Sequence, residues 1–350
     1  MENQNRLGAK RIDLRSLAEE LCLSKTTVSR ALNGFPEVSE ATRTRVNEAA
    51  KRLGYYPDKS AARLASGKVG AIGLIIQIDT ESFMDPIRAE FIEGVGRELA
   101  KSGTDLVVQP VAGSDPISAY KRAIAQNTVD GFIVSGPTLN DPRVEFLANS
   151  GFPFVLHGRT NIDQNHSFFD IDNDGGFYKA TQFLISQGHK RIAVVGGIDG
   201  HTFTEDRLTG IRRALKEVDL TLMEEDIHLG PMNEQTGYDV AQSYFKPTEQ
   251  SRPTAFLCLS LFVALGLTRG AREHGAEVPE DLSIIVHDDR APYLRAELFD
   301  PPLTALQSSI RNAGEGVTRM LLQEIDSPRA KATKVIEPVE LHVRNSVKRL

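Results

Sequence analysis

The stretch LSKTTVSRALNG, residues 23–34, carries Ser, Thr, Lys and Arg at its polar positions and contains no Asp or Glu. Ser24 is suited to cap a helix N-terminus, and Val28, Ala31 and Leu32 have the spacing of one buried helix face. The opposite face then presents hydroxyl and cationic groups: Lys25, Thr26, Ser29 and Arg30. This composition predicts a negatively charged partner, because a helix that met only water would normally mix Glu with Lys.

Helical patterns lie on both sides of this stretch. The preceding helix has apolar residues at i, i+3, i+4 and i+7, which are Leu14, Leu17, Ala18 and Leu21. A third helix begins after its cap, Ser39, and has an apolar face made of Val46, Ala49, Ala50 and Leu53. Three such helices predict a helix-turn-helix head whose second helix enters the DNA major groove. The alternative is a solvated helix in a small bundle.

Charge is segregated along the 350-residue chain. Residues 1–68 hold 13 Lys and Arg against 8 Asp and Glu, a net of +5, so the total of −6 leaves −11 for the rest. A basic head on an acidic body favours a polyanion as the partner of the head.

The cysteine count and the N-terminal sequence indicate the cellular compartment in which the protein is found. Only Cys22 and Cys258 are present, so a disulfide framework and a Cys-based metal site are both excluded. No hydrophobic signal region precedes the head, and no apolar run approaches the ~18 residues of a membrane helix. We therefore expect a cytoplasmic protein with no membrane partner.

The stretch YYPDKSAARLASGKVG, residues 55–70, has start and stop signals around a very short helix. Pro57 and Asp58 suit its entry, and Gly67 suits its exit. About eight residues lie between them, fewer than the ~12–15 that give an isolated helix marginal stability. We expect an element that is helical only when something packs on it.

Four motifs within residues 11–73 are typical of one known family. They are residues 27–33 (TVSRALN), Val38-Ser39 with Thr42-Arg43, Leu53-Gly54-Tyr55 with Pro57, and residues 61–64 (AARL). This region resembles the lactose-repressor (LacI/GalR) family of bacterial transcription regulators. The resemblance implies a set of DNA-contacting residues: Lys25, Thr26, Thr27, Ser29, Arg30, Asn33, Tyr55, Ala61 and Leu64.

The family resemblance gives the short helix a function. It implies a hinge helix that folds on operator DNA, with Leu64 of each subunit wedged into the minor groove and Ala61 and Ala62 allowing the paired hinges to approach closely. Without DNA, Leu64 can instead be a buried contact.

From Val69 onward, short apolar runs alternate with amphipathic helical patterns. The runs include AIGLII, GFIVSG, KRIAVVGG, PTAFLCLS and LSIIVHDD. Continuous Val, Ile and Leu strands separated by helices predict parallel sheets covered on both faces. The pattern occurs twice, which predicts an α/β body of two doubly wound lobes with a ligand cleft at the carboxyl ends of the strands.

The resemblance extends over nearly the whole chain. It implies a periplasmic-binding-protein-like (type I) body whose strands cross between lobes three times, near residues 165, 291 and 325. The expected domains are a helix-turn-helix domain at 1–56, a hinge helix at 57–68, and an effector-binding and dimerisation domain at 69–350. The expected lobes are an N-lobe at about 69–165 and 292–325, and a C-lobe at about 166–291 and 326–350.

The resemblance also assigns residues to the effector. By position, Arg207 and Asp288 are expected to contact it, since an Arg donor fork and an ionised Asp acceptor suit the hydroxyls of a sugar. Further candidates are Phe83, Asp172, Met232 and Ser260. The alternative for Arg207 is an intralobe salt bridge.

The cleft departs from the family pattern at two places. Ser260-Leu261 stand where the family commonly has Asn-Asp, and Val286-His287 stand where a Gly and an aromatic residue are usual. The first departure removes an amide and a carboxylate, so the pocket differs from that of the best-known members and leaves the ligand class open.

No metal or cofactor is predicted. Residues 170–175 (DIDNDG) imitate the start of a calcium-binding loop, but the twelfth position is Thr181 instead of Glu. No phosphate-binding glycine loop and no catalytic constellation is present.

The sequence thus predicts a homodimeric DNA-binding transcriptional repressor. A small molecule in the cleft, a sugar or glycoside, would control its affinity for palindromic operator DNA. One alternative is a sugar-binding protein of the periplasmic type without a gene-regulatory role, and another is an enzyme on a doubly wound fold. The first does not account for the basic head, and the second lacks catalytic residues.

Overall fold

The computed structural model describes residues 12–32, 34–55, 67–78, 86–112, 115–162, 165–245, 252–292, 294–327 and 331–350. The chain divides into two compact units, a head at residues 1–69 and a body at residues 70–350. Residues 56–66, most of the predicted hinge helix, lie outside the described set.

The described part of the head contains three helices: α1 (Leu14–Glu20), α2 (Lys25–Leu32) and α3 (Glu40–Leu53). A side chain caps the first turn of each, respectively Asp13, Ser24 and Ser39, which accept a backbone N–H at 2.8, 3.0 and 3.3 Å. α3 ends at Gly54, whose φ of 65° lies in the left-handed region that favours glycine. The predicted helix-turn-helix head is confirmed.

The apolar faces of the three helices meet in one small core. Its buried members are Leu17, Ala18, Val28, Ala31, Val38, Val46, Ala49 and Ala50. Because α2 turns Val28 and Ala31 into this core, its polar face is left to the solvent.

The body contains twelve strands within the described residues. They are β1 (Ala71–Gln77), β2 (Asp105–Val111), β3 (Gly131–Ser135), β4 (Phe154–His157), β5 (Ser167–Ile171), β6 (Ile192–Val195), β7 (Ile227–His228), β8 (Ala255–Cys258), β9 (Ser283–Asp288), β10 (Thr304–Gln307), β11 (Lys334–Glu337) and β12 (Glu340–His342). They form an N-lobe sheet in the order β11-β5-β4-β3-β1-β2 and a C-lobe sheet in the order β12-β10-β9-β8-β6-β7. Every neighbouring pair is parallel except β10 with β12.

Helices cover both sheets. They are α4 (Pro86–Ser102), α5 (Ile117–Ala125), α6 (Pro142–Ser150), α7 (Asn173–Ser186), α8 (Thr202–Lys216), α9 (Glu234–Tyr244), α10 (Leu261–Glu273) and α11 (Ile310–Asp326). Alternation along β6 shows how one strand serves two faces: Ile192 and Val194 pack in the core of α7 and α8, and Ala193 and Val195 in that of α9 and α10. The predicted pair of doubly wound lobes is confirmed.

Two helix pairs of the C-lobe pack with their backbones in close approach. A side chain at Gly210 would overlap the carbonyl oxygen of Asp174, and one at Gly266 would overlap that of Glu234. Glycine at these positions therefore sets the spacing of α7 against α8 and of α9 against α10.

The chain crosses between the sheets three times, but later than predicted. The crossings follow β5 at residue 171, β10 at residue 307 and β11 at residue 337, instead of lying near 165, 291 and 325. In each case one more element joins the sheet of the lobe that the chain is leaving. Apolar runs alone do not show to which of two similar sheets a strand belongs.

Candidate functional site

The polar face of α2 is the candidate DNA-binding surface of the head. Lys25, Thr26 and Arg30 are exposed, while Thr27 and Ser29 are half-buried. The hydroxyl of Thr27 lies 2.8 Å from Ser24 Oγ, so it takes part in the cap of the helix. The groups presented to a partner are thus the side-chain cations of Lys25 and Arg30 and the hydroxyl of Thr26.

Arg30 has a carboxylate neighbour that the sequence pattern did not reveal. Its Nη1 lies 3.6 Å from Oε1 of Glu37, with both side chains about half exposed. Exposed ion pairs of this kind contribute little to stability. Arg30 can therefore exchange this carboxylate for a phosphate at little cost.

Of the remaining predicted DNA contacts, only Tyr55 is among the described residues, and it follows α3 instead of lying on α2. Tyr55 is half-buried and packs against the core of the head, and its backbone N–H donates to Ala50 O at 2.9 Å. Asn33, Ala61 and Leu64 lie outside the described residues.

Both lobes of the body line a cavity of about 240 Å³. N-lobe strands reach it with their carboxyl ends, at Ser135, His157 and Asp170, and helix α8 of the C-lobe reaches it from the other side. This is the position expected for a ligand in parallel α/β sheets. Of the predicted effector residues, Arg207, Met232 and Ser260 line this cavity.

Arg207 is buried at the cavity and its described partners are neutral. Nε donates to Asn173 Oδ1 at 2.8 Å, Nη1 to the Leu259 carbonyl at 2.9 Å, and Nη2 to His287 Nδ1 at 3.4 Å. Burial lowers the pKa of Arg207 to about 10, which leaves it cationic at neutral pH. These described partners engage three of its five N–H groups.

Met232 and Ser260 have local contacts as well as facing the cavity. Met232 Sδ lies 3.1 Å from the backbone nitrogen of Gly197. Ser260 Oγ caps α10 by accepting from Phe262 N at 3.2 Å, so its acceptor capacity is partly used.

The predicted carboxylate Asp288 faces away from the cavity, and its neighbour Asp289 lines it. Asp288 is fully buried and accepts from the backbone nitrogens of Arg290 at 2.7 Å and Ala296 at 3.2 Å. The prediction is displaced by one residue because successive side chains at a strand end point to opposite sides. Burial would raise the pKa of Asp289, but His287, Arg207 and His157 hold that pKa below its ordinary value.

A similar displacement affects Asp172. Its Oδ1 caps α7 by accepting from Gly175 N at 2.9 Å, and the cavity is lined instead by Asp170 and Asn173. Phe83, the last predicted effector residue, lies outside the described residues.

Comparison with known proteins identifies the family. A model described as bacterial regulatory proteins, lacI family, matches residues 14–58, and one for a periplasmic binding protein-like domain matches residues 181–347. The HTH-type transcriptional regulator AglR of Rhizobium meliloti is 40% identical over 312 residues, which cover 89% of this chain and 87% of AglR. The chain belongs to the LacI family. It is a DNA-binding transcriptional regulator, as the resemblance predicted.

Other relatives agree with this assignment. CelR of Thermobifida fusca is 29% identical, with 96% of this chain and 98% of CelR covered. A solved CelR–cellobiose complex has a TM-score of 0.68 at 28% identity, covering 96% of this chain and all of that one. The lac repressor dimer bound to operator and the anti-inducer ONPF shares the fold, with a TM-score of 0.81 at 24% identity over 97% of this chain and all of that one.

Sequence reasoning missed the residues that join the lobes of this LacI-family chain. Arg159, just beyond β4, donates through Nε to Asp170 and through Nη2 to Asp206 of α8, both at 2.6 Å. The first pair lies within the N-lobe and the second crosses the cleft. The position of Arg159 at the carboxyl end of a strand was the one available signal.

Backbone hydrogen bonds also cross the cleft. Leu139 N donates to the Gly200 carbonyl and Thr202 N donates to the Pro137 carbonyl, each at 3.2 Å. Between them, Thr138 and His201 form an antiparallel bridge. In this structure the cleft is therefore closed at that edge.

Two features are absent from the described part of the chain. No group of three or more His, Cys, Asp and Glu there is placed to hold a metal ion. No helix in the same part of the chain has the length and apolar character to cross a membrane.

Proposed function

We propose that this LacI-family regulator is a homodimeric repressor whose affinity for a palindromic operator is set by a neutral sugar bound in the cavity between the lobes. The observation that carries the ligand class is the pairing of charge around the cavity. Arg159 is paired with Asp170 and Asp206, and the lining also holds the opposite charges of Arg207 and Asp289. A neutral ligand leaves the pairs of Arg159 intact and adds no charge beside Arg207 and Asp289.

Hydroxyl recognition fits the rest of the lining. Ser135, Ser308, Ser309 and Thr202 offer groups that both donate and accept, and Phe91 and Phe203 supply apolar surface. Polar groups for hydroxyls beside apolar faces suit a sugar ring. The relative CelR has been solved with cellobiose, which gives the same ligand class.

Helix α2 supports the DNA part of the proposal. Its exposed Lys25 and Arg30 suit phosphates and base edges, and Thr26 suits a base edge. One such helix reads few base pairs, so two copies related by a two-fold axis would read a palindrome.

Two other functions find less support. A sugar-binding transport protein would have no use for the cationic face of α2. For an enzyme, the cavity places Ser308 Oγ 3.1 Å from His287 Nε2 and Ser135 Oγ 3.2 Å from His157 Nδ1, but the relatives are transcriptional regulators. A regulator of this type acts in the cytoplasm, where its DNA is.

The test is fluorescence anisotropy with DNA from upstream of the gene, across salt concentrations and with a panel of neutral sugars. The expected result is tight, salt-steep binding to a palindrome that one sugar shifts. Binding that no neutral sugar shifts would contradict the ligand class. Absence of specific DNA binding at low salt would contradict the whole proposal.

Two variants distinguish a ligand contact by Arg207 from a general effect on the fold. Arg207→Gln should weaken the sugar response by ~10- to 100-fold, the equivalent of the ~1.5–3 kcal/mol of hydrogen bonds to a charged group. Arg212→Ala, on the same helix but paired with the exposed Glu224 at 3.5 Å, should leave the response unchanged. An equal loss in both variants would contradict a ligand contact by Arg207.

A further inference from the structure

The loop between β3 and α6, residues 136–141, lines the cavity and also makes hydrogen bonds to the other lobe; we call it the bridging loop. Pro137 lines the cavity. Its carbonyl accepts from both the backbone nitrogen and the hydroxyl of Thr202, each at 3.2 Å, and Leu139 N donates to Gly200 O at 3.2 Å. The position of this loop therefore affects the cavity and the contact between the lobes together.

A buried ion pair at the start of α6 holds the bridging loop on the N-lobe side. Asp141 is 1% exposed, and Arg143 donates to its carboxylate through Nε at 2.9 Å and Nη2 at 2.6 Å. The same guanidinium donates to the carbonyls of Ser135 at 3.4 Å and Gly136 at 3.0 Å. Asp141 in turn accepts from Thr138 N at 3.1 Å. The pair thus binds three backbone groups in and beside the loop.

The charges of this pair favour one conformation of the loop. Burial would raise the pKa of Asp141, but hydrogen bonds from Arg143 and from the backbone of Thr138 hold that pKa below its ordinary value. A buried carboxylate that loses one of its partners is strongly unfavourable, and so is a buried backbone group left without a hydrogen bond. The loop conformation that satisfies the pair is therefore preferred over others.

A different contact holds the next part of the loop. Leu139 O accepts from Asn161 N and from Thr160 Oγ1, each at 2.8 Å. These donors belong to the segment that follows β4 and do not involve the ion pair. The pair therefore matters most for the stretch before Leu139, which contains the Pro137 carbonyl that Thr202 contacts.

We propose that Asp141 and Arg143 are positioning residues, which fix the Pro137 carbonyl where Thr202 of the other lobe can donate to it and so determine how readily the cleft closes. The described lining of the cavity contains neither Asp141 nor Arg143, so a ligand held there contacts the loop and not the pair.

The consequence for the effector rests on the proposed function, in which a neutral sugar binds in this cavity. A ligand that needs the closed cleft binds in proportion to the fraction of molecules that are able to close. Loss of the ion pair therefore weakens sugar binding, although the sugar does not touch the pair.

The first experiment measures hydrogen exchange of the full-length protein without ligand. Arg143→Lys keeps the charge, but an ammonium group cannot contact the carboxylate and two carbonyls as the guanidinium does. Exchange of the Thr202 amide should become ~10- to 100-fold faster, the factor expected for hydrogen bonds to a charged group. Exchange at Ile133, in the centre of β3, should change much less. Equal acceleration at both amides, or none at Thr202, would overturn the proposal.

Arg191→Lys is the matched control. Arg191 pairs through Nε with the fully buried Asp226 at 2.8 Å, within the C-lobe and outside the described lining of the cavity. Its thermal stability should fall as in Arg143→Lys, while exchange at Thr202 and sugar binding stay as in the parent protein. Acceleration at Thr202 as large as in Arg143→Lys would mean that loss of any buried ion pair has this effect, and would overturn the proposal.

The second experiment measures binding of cellobiose, the sugar in the CelR complex, by calorimetry. The dissociation constant should rise severalfold in Arg143→Lys and in Asp141→Asn, and stay unchanged in Arg191→Lys. An unchanged constant in Arg143→Lys would overturn the link between the loop and the effector. If neither cellobiose nor any other neutral sugar binds the parent protein, the ligand class fails and the exchange at Thr202 still decides the role of the pair. Circular dichroism establishes that each variant is folded.

Discussion

At the scale of single residues, the ion pair between Arg30 and Glu37 limits how the head meets DNA. The pair is exposed, so in water it costs little to separate, but the Glu37 carboxylate remains close to the polyanion after Arg30 has turned to a phosphate. Glu37→Gln should therefore raise operator affinity severalfold, and Arg30→Ala should lower it. Anisotropy titrations at several salt concentrations measure both.

A double variant with Glu37→Gln and Arg30→Ala distinguishes an effect of the ion pair from a general effect of net charge. If Glu37 acts through Arg30, the gain from Glu37→Gln should shrink when Arg30 is already Ala. As a matched control, Glu19→Gln on α1 removes an exposed carboxylate that pairs with Arg15 instead. A gain as large in Glu19→Gln would show that only net charge matters.

The sequence predicted which residues lie near the site better than it predicted the direction in which their side chains point. Motif position put Arg207 at the cavity, and the helical spacing of residues 23–34 gave the exposed face of α2. The same reasoning chose Asp288 in place of Asp289, since adjacent residues at a strand end differ in direction and no pattern fixes which one faces the cleft. The pair of Arg159 with Asp206 joins residues from different lobes, which no local periodicity reports.

At the scale of secondary-structure elements, two helix pairs of the C-lobe repeat one arrangement. Arg213 lies over the Tyr178 ring at 4.0 Å and pairs with Asp174, and Tyr178 donates to Glu217 at 2.8 Å. Arg269 lies over the Tyr238 ring at 4.1 Å and pairs with Glu234 at 2.7 Å, and Tyr238 donates to Glu273 at 2.7 Å. In each pair the Arg is three residues after the glycine at the backbone contact, Gly210 or Gly266.

This repeat predicts that the two glycines resist substitution. Gly210→Ala and Gly266→Ala each place a methyl group on a carbonyl oxygen of the facing helix, so each should destabilise the body by ~1–3 kcal/mol. Gly96→Ala provides the matched control, because Gly96 lies within α4 with open space around it and should gain ~0.5–1 kcal/mol. Thermal unfolding at fixed protein concentration gives the sign of each change. Tolerance of Ala at Gly210 would contradict the close approach.

At the scale of the body, contacts across the cleft predict that the ion pair between the lobes helps to hold the cleft closed. Asp206→Asn removes the interlobe charge pair with Arg159, so the neighbouring backbone bridge should open more often. Hydrogen exchange of the Leu139 and Thr202 amides, which donate across the cleft, should accelerate. Exchange at Val194, in the centre of β6, should not change.

Asp174→Asn is the control for this prediction. It removes a partly exposed ion pair with Arg213 that lies wholly within the C-lobe. Exchange at Leu139 and Thr202 should stay as in the parent protein. Faster exchange at these amides in Asp174→Asn would mean that loss of any ion pair loosens the cleft, which would contradict a specific role for Arg159 and Asp206.

The glycine contacts have a mechanical consequence. Helices whose backbones touch at Gly210 and Gly266 cannot slide past each other without breaking that contact, so the C-lobe moves as a rigid body. A displacement of Arg207 by a ligand then does not change the packing of helices within the C-lobe. It is transmitted to the three chain crossings between the lobes, which follow β5, β10 and β11 and therefore act as the hinge.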